Sequence, residues 1–217
     1  MKILCFDPAA STGFCVVDVV DTVMTILEYG FIDIDVTSEY DGDRCNDFMN
    51  IVTELITTRK PDEITVEDYF FGKRFATGSN INVAYRTVVH MVSRIFKLHY
   101  AVLNISEWKK HIAGSAVPSK LQKKKWGKNV AKKLFIQEAL WKKFNIRFPN
   151  HSISEKNGKP IKFRNDIVDV IAQAIFYCET KYGVKEIRMD VELTADVEMK
   201  KKSKWHFNYE EGETHEH

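Results

Sequence analysis

The chain has 217 residues, a length that suits one ordinary domain and is too short for two full-sized ones. Hydrophobic residues make up 44% and charged residues 29%, a globular balance that excludes wholesale disorder and fibrous repeats. Net charge is only +2, but it is segregated: residues 69–147 hold 17 Lys or Arg against the two acids Glu107 and Glu138, and the remainder holds 15 against 28. A single run such as Lys123-Lys124-Lys125 is ordinarily a solvated helix face, whereas an asymmetry spread over so long a stretch is the footprint of a surface that docks a polyanion. No run approaches the roughly 18 uninterrupted apolar residues of a membrane span, and no signal-peptide core precedes Asp7. The expectation is a cytoplasmic protein (host cytoplasm for a viral one), not secreted and with no membrane partner. Cys5, Cys15, Cys45 and Cys178 are dispersed, with no C-x-x-C pair, and read as reduced thiols.

In chain order, Ile3–Phe6 is a short apolar strand stopped by Asp7-Pro8, and Gly13–Val20 follows as the second arm of a hairpin. Residues 23–34 alternate loosely and supply a third strand, with Gly30 as a candidate bulge. From about Asp43, a candidate cap, the period changes to helical: Cys45, Phe48, Met49, Val52, Leu55 and Ile56 repeat at three and four residues. Ile64–Glu67 is a fourth strand. A helix then begins at Ser79 or Asn80, and Ala101–Ile105 is a fifth strand. Ser106 is the candidate cap of a short helix ending at Gly114, and Pro118-Ser119 introduces one long basic helix through about Phe144. Residues 149–162 are loop-like, and a last strong helix runs from about Arg164 to Lys181. Ile187, Met189, Val191 and Leu193 alternate like a strand. The order predicts an α/β fold, a mixed sheet with helices packed against it. It is read as one domain over 1–199 with a basic helical insertion at about 106–147, and 200–217 as a polar tail.

The chemistry concentrates in Asn165-Asp166-Ile167-Val168-Asp169-Val170-Ile171-Ala172-Gln173. At about 100° per residue, Asp166, Asp169 and Gln173 share a sector of roughly 60° while apolar side chains fill the rest of the wheel. This is a buried helix with one polar stripe carrying two acids. Buried carboxylates need cations, hydrogen bonds or protons. Capping would explain Asp166 but not Asp169, three residues deeper. Asp7 and Glu67 each end a strand, and in open α/β sheets ligands collect outside the carboxyl ends of strands. If strands 1 and 4 are parallel neighbours, four carboxylates share one rim, an oxygen-rich pocket suited to Mg²⁺ or Mn²⁺. Asp68 is the rival to Glu67, because one register shift exchanges them.

Three segments carry a resemblance: Ile3-Leu4-Cys5-Phe6-Asp7-Pro8 leading through Ser11-Thr12-Gly13-Phe14, then Thr65-Val66-Glu67-Asp68-Tyr69-Phe70, then Asn165-Asp166-Ile167-Val168-Asp169-Val170-Ile171. By these the chain resembles the RuvC-type Holliday junction resolvases of the ribonuclease H-like nuclease superfamily, in a viral or phage-like branch, over roughly residues 1–180. The resemblance implies a ribonuclease H-like mixed five-stranded sheet with helices on both faces. It also implies catalytic and metal-holding acids at Asp7, Glu67, Asp166 and Asp169, two Mg²⁺ ions replaceable by Mn²⁺, and hydrolytic cutting of four-way or other branched DNA by a homodimer. Asp7 would bridge the ions, with Glu67 on one and Asp166 and Asp169 on the other. The family's dimerisation would be sought on the second helix. The chain departs from the pattern at Ala9, where glycine is usual after Asp-Pro, in a shortened turn before Gly13, in an expanded basic region and in its tail.

Phe70 beside the rim is a candidate to stack on an unpaired base, with core packing the alternative for one member of Tyr69-Phe70-Phe71. Lys73, Arg74, Lys109, Lys110, Lys120, Lys123, Lys124, Lys125, Lys128, Lys132 and Lys133 are candidates for phosphate contacts, which position DNA without reading its sequence. His206, His215 and His217 are irregularly spaced in a polar setting, and a disordered tail fits them better than a metal site. Three rivals remain: a flap or RNA-hybrid nuclease of the same superfamily, a non-catalytic DNA-binding or packaging module, and an actin-like or sugar-kinase ATPase. The ATPase would need a second glycine-rich phosphate loop, and none is present.

Overall fold

The computed structural model describes residues 1–34, 41–68, 79–148 and 165–191. Six strands, β1 (Lys2–Asp7), β2 (Ser11–Val20), β3 (Val23–Asp33), β4 (Glu63–Glu67), β5 (His99–Leu103) and β6 (Glu186–Met189), form one mixed sheet in the order β5-β4-β1-β2-β3-β6. β1 runs antiparallel to β2 and β2 to β3, while β1/β4, β4/β5 and β3/β6 are parallel. The expected sheet of five strands is therefore corrected to six. The alternation at Ile187 and Met189 is a real strand that joins the β3 edge, and its sequence carries no mark of which edge it will join.

Period-two alternation divides the core. Leu4 and Phe6 point to one face, under α1 (Asp41–Arg59) and α2 (Ser79–Ile95), where Phe48 and Tyr85 stack with centroids 4.1 Å apart. Ile3 and Cys5 point to the other, under α3 (Ile105–Ala113), α5 (Lys128–Phe144) and α6 (Asn165–Tyr182). Helices thus cover both faces, as the resemblance implies. Cys5 sits opposite Cys15 in the β1–β2 ladder with Cys178 of α6 in the same core; all three thiols are free and buried. α6 is buried nearly all round: Ile167, Val168, Val170, Ile171, Ala172, Ala174 and Ile175 are fully enclosed. No helix among the described residues is long and apolar enough to cross a membrane.

Four local expectations are corrected. Asn104, not Ser106, caps α3: its side chain accepts from Ser106 N at 2.9 Å and Glu107 N at 3.2 Å, and Gly114 closes the helix in the left-handed region. The long basic helix is two, α4 (Lys120–Trp126) and α5, broken at Gly127 with φ 79° and ψ 152°, a conformation that glycine adopts without strain. Ser119 does open α4, through a capping box with Gln122. The bulge lies between Val16 and Val17, not at Gly30, which pairs in register with Phe14. A Cβ on Gly30 would lie 2.6 Å from the Phe14 ring, so that glycine makes room for an aromatic. Helix α1 begins at Asp41, two residues ahead of the expected Asp43 start.

Candidate active site

The parallel pairing of β1 with β4, with Phe6 opposite Val66, brings the carboxyl ends of both strands to one rim. Asp7 and Glu67 therefore stand side by side, close enough for each carboxyl to perturb the other. Pro8 follows Asp7, has no N–H for the ladder and ends the strand there. On β2 the residue opposite Asp7 is Gly13. A Cβ at Gly13 would lie 2.3 Å from the Asp166 carbonyl oxygen, so the first turn of α6 rests directly on the β2 backbone beside Asp7. At the far end of the sheet Glu63 of β4 accepts from Tyr177 Oη at 2.9 Å, Lys181 Nζ at 2.7 Å and Tyr182 Oη at 2.5 Å. The glycine contact and this clamp fix α6 at both ends, and the i, i+3 spacing aims Asp166 and Asp169 from one face.

The four acids perturb one another's ionisation. Burial first, then the charges of Glu67 and Asp166 and the bond with Glu67, push the Asp7 carboxyl well above its usual range. Burial also raises Glu67 and the Asp169 charge adds to it, against the bonds from Asp7 and Trp108 and the Lys109 charge. Asp169 is pushed up to about 7 by burial and by the charges of Asp7 and Asp166. Lys109 of α3 is the cation that opposes the rise at Asp7, Glu67 and Asp169. Asp7 thus feels all three other acids. Four carboxylates grouped at one rim and partly removed from water, with Lys109 as a counter-charge among the described residues, fit hard divalent cations. Among the described residues, no three acid, histidine or cysteine side chains already stand at the spacing of a closed metal cage.

Glu67 and Asp68 take different roles. Glu67 stands beside Asp7 and accepts from Trp108, while Asp68 is ion-paired with Arg86 of α2. Both border a cleft of about 260 Å³ that opens at Asp7 and is lined also by Asn82, Arg86 and Ile105. Asn82, Arg86, Ile105 and Trp108 escape the sequence reading. A Trp immediately before Lys109-Lys110 was the available signal, since a buried indole needs an acceptor. Here Trp108 Nε1–H donates to Glu67 Oε1 at 2.9 Å. One turn below Asp169, the buried Gln173 amide finds no hydrogen-bond partner among the described residues.

Of the lysines, Lys109 belongs to the acid cluster, with its Nζ 4.8 Å from the Trp108 ring centre. Lys110, Lys120, Lys124, Lys125, Lys128 and Lys132 are exposed on α3–α5 and Lys123 is partly so. α4 buries none of its residues. His111 meets Glu179 at 2.6 Å and Lys143 reaches the same carboxylate at 3.5 Å, tying α3 and α5 to α6. Phe70, Lys73, Arg74, the segment 149–164, Leu193 and the tail histidines lie outside the described residues, as does the side chain of Lys133.

Residues 3–137 match the family described as Crossover junction endodeoxyribonuclease RuvC, a span that includes Asp7 and Glu67 and ends before Asp166 and Asp169. Comparison with curated proteins gave no match. Among solved structures, the chain is similar to Thermus thermophilus RuvC in complex with a Holliday junction substrate, with TM-score 0.59 and 15% identity over 84% of this chain and 96% of that one. It is similar also to the Thermus thermophilus RuvC structure, with TM-score 0.57 and 14% identity over 86% and 99%. At such identities these likenesses speak for the fold, and they extend past the family match toward α6. By the match over most of its length, this chain belongs to the RuvC family of crossover junction endodeoxyribonucleases, enzymes that cut branched DNA.

Proposed function

We propose that the protein nicks four-way DNA junctions by divalent-metal-dependent hydrolysis, with Asp7, Glu67, Asp166 and Asp169 holding two ions, Mg²⁺ by preference and Mn²⁺ as a substitute. The observation that carries this reading is the convergence of the four acids at the β1–β4 rim, where each perturbs its neighbours. Bound there, the ions supply a nucleophile from water at neutral pH and charge stabilisation for the departing 3′ oxygen. The chain's own residues do the rest. Asp7, which feels the other three acids, is the natural shared ligand. Asp166 and Asp169 approach from a helix anchored at both ends, so their carboxylates are held in place before substrate arrives. Asp68 and Arg86, ion-paired with each other, line the same cleft as Asp7 and Glu67.

The exposed lysines of α3–α5, with Lys73, Arg74 and Lys133, would hold the phosphate backbone, and Phe70 would stack at the branch point. A two-fold dimer suits paired nicks on a nearly two-fold junction. Its support is the apolar surface on α2, where Met91 is 56% and Ile95 69% exposed, with Val102 of the edge strand β5 also in solvent. Free buried thiols favour a cytoplasmic setting. The test is to incubate the purified protein and Mg²⁺ with a labelled four-way junction, a flap, a linear duplex and an RNA hybrid. Paired cuts in the junction alone are expected. Equal cutting of all four would overturn the junction reading, and no cutting with any divalent ion would turn the proposal toward a binding module.

A further inference from the structure

We infer that Trp108 is a positioning residue for the site: its indole N–H fixes the Glu67 carboxylate in the orientation that takes up a divalent ion. The inference rests on the reading of Glu67 as a metal ligand. Trp108 is the largest fully enclosed side chain among the described residues, and its Nε1 is a donor with no capacity to accept. Burying such a donor unpaired is costly, so the indole must end on an acceptor, and the acceptor it meets is Glu67 Oε1 at 2.9 Å, 41 residues away in the chain. One oxygen of the Glu67 carboxylate is thereby fixed by the indole, at the end of the strand that pairs with that of Asp7.

The donor sits on a rigid element. α3 is capped at Asn104, closed at Gly114 and anchored by Trp108 and Ile112 in the core shared with α5 and α6. The next residue, Lys109, is the cation that faces Asp7, Glu67 and Asp169. One helix therefore delivers both the orienting donor and the counter-charge. A neutral donor that never takes a proton can orient Glu67 without competing with a metal ion for its charge, which is how outer partners tune ligating carboxylates.

The test measures Mn²⁺ binding to the full-length protein by the paramagnetic signal of free Mn²⁺, for wild type, Trp108→Phe, Glu67→Gln and the double variant. Junction binding in EDTA is measured alongside. Trp108→Phe is expected to weaken Mn²⁺ binding about tenfold or more, leave junction binding in EDTA unchanged, and add nothing to the loss already caused by Glu67→Gln. Unaltered Mn²⁺ affinity in Trp108→Phe, or losses that add in the double variant as general destabilisation would, overturns the inference alone. Absence of Mn²⁺ binding by wild type overturns the metal reading and this inference with it. A chain keeping Trp108 as its sole tryptophan, with Trp126, Trp141 and Trp205 replaced by Phe, tests the same point without disturbing the indole. Mn²⁺ should quench its emission with Glu67 present and fail to do so in Glu67→Gln, and equal quenching in both counts against the assignment.

Discussion

Gly13 and Asp166 meet backbone to backbone, with 2.3 Å between the Asp166 carbonyl oxygen and the place where a side chain on Gly13 would begin. Because Gly13 is also the ladder partner of Asp7, this contact sets how near the acids of α6 come to the acid of β1. Alanine at this position must push the first turn of α6 away or distort β2. A displacement of about 1 Å at a reacting centre can cost on the order of 10²-fold in rate, and overpacking costs about 1–3 kcal/mol. Gly13→Ala is thus expected to fold with reduced stability and to lose most single-turnover cleavage while binding junctions. Cleavage near the wild-type rate would contradict the contact.

The raised carboxyls make the metal-free protein sensitive to alkali. Asp169 goes from an ordinary value of 3.8 unfolded to about 7 folded, so the native state holds the proton more tightly between those limits. Its contribution to stability is whole below about pH 4 and disappears as pH rises through 7; Asp7 and Glu67 act in the same sense. Asp169 is only part-buried, which trims the effect. Thermal unfolding in EDTA should show Tm falling by about 2–4 °C from pH 5 to pH 8, the equivalent of stability on the order of 1 kcal/mol lost at Asp169 in a chain of this size. Asp169→Asn should flatten that slope, and Mg²⁺ should raise Tm more at pH 8 than at pH 5 because it favours the ionised acids. A Tm independent of pH in EDTA would contradict the raised values.

Removing one acid of the stripe separates chemistry from binding. Asp166→Asn is expected to abolish nicking, as is chelation of divalent ions, with junction affinity at low salt kept or improved by the loss of a negative charge. Gel-shift titration beside a cleavage assay decides the matter. Retained turnover, or lost binding, would contradict the role given to Asp166.

The basic helix can be stripped without touching the core, because α4 buries none of its residues. Replacing Lys120, Lys124 and Lys125 by Ala should change the unfolding free energy by no more than about 0.5 kcal/mol for each substitution. Junction affinity should fall, and the slope of log affinity against log salt should decrease by about 0.9 for each phosphate that is no longer neutralised. An unchanged slope would mean that this helix faces away from DNA.

What the sequence discloses about this site follows the covalent chain. Asp7 before Pro8, and Asp166 three residues ahead of Asp169, are local patterns, and each fixes where its carboxylate points. Glu67 against Asp68 turns on a single register step, which the Phe6–Val66 pairing and the Asp68–Arg86 bridge decide. The bond from Trp108 to Glu67 spans 41 residues and depends on how α3 seats against the sheet, so no local pattern announces it. Likewise Asn104 wins the α3 cap from Ser106 by its backbone position, and Gly127 splits the basic helix although the charge pattern runs straight across it. The sixth strand has the expected alternation at Ile187 and Met189, yet its partner β3 lies more than 150 residues away in sequence.

The three sulfur atoms at the centre of the sheet give the molecule a built-in stopwatch. Cys5 and Cys15 face each other across the hairpin, Cys178 shares their core, and burial drives the Cys5 thiol up to about 12. A thiol-alkylating reagent needs both access and a thiolate, and these three offer neither until β1, β2 and α6 come apart together. Cys45, partly exposed on α1, will be tagged early, and the lag before the remaining three are tagged measures the lifetime of the platform that holds the acids.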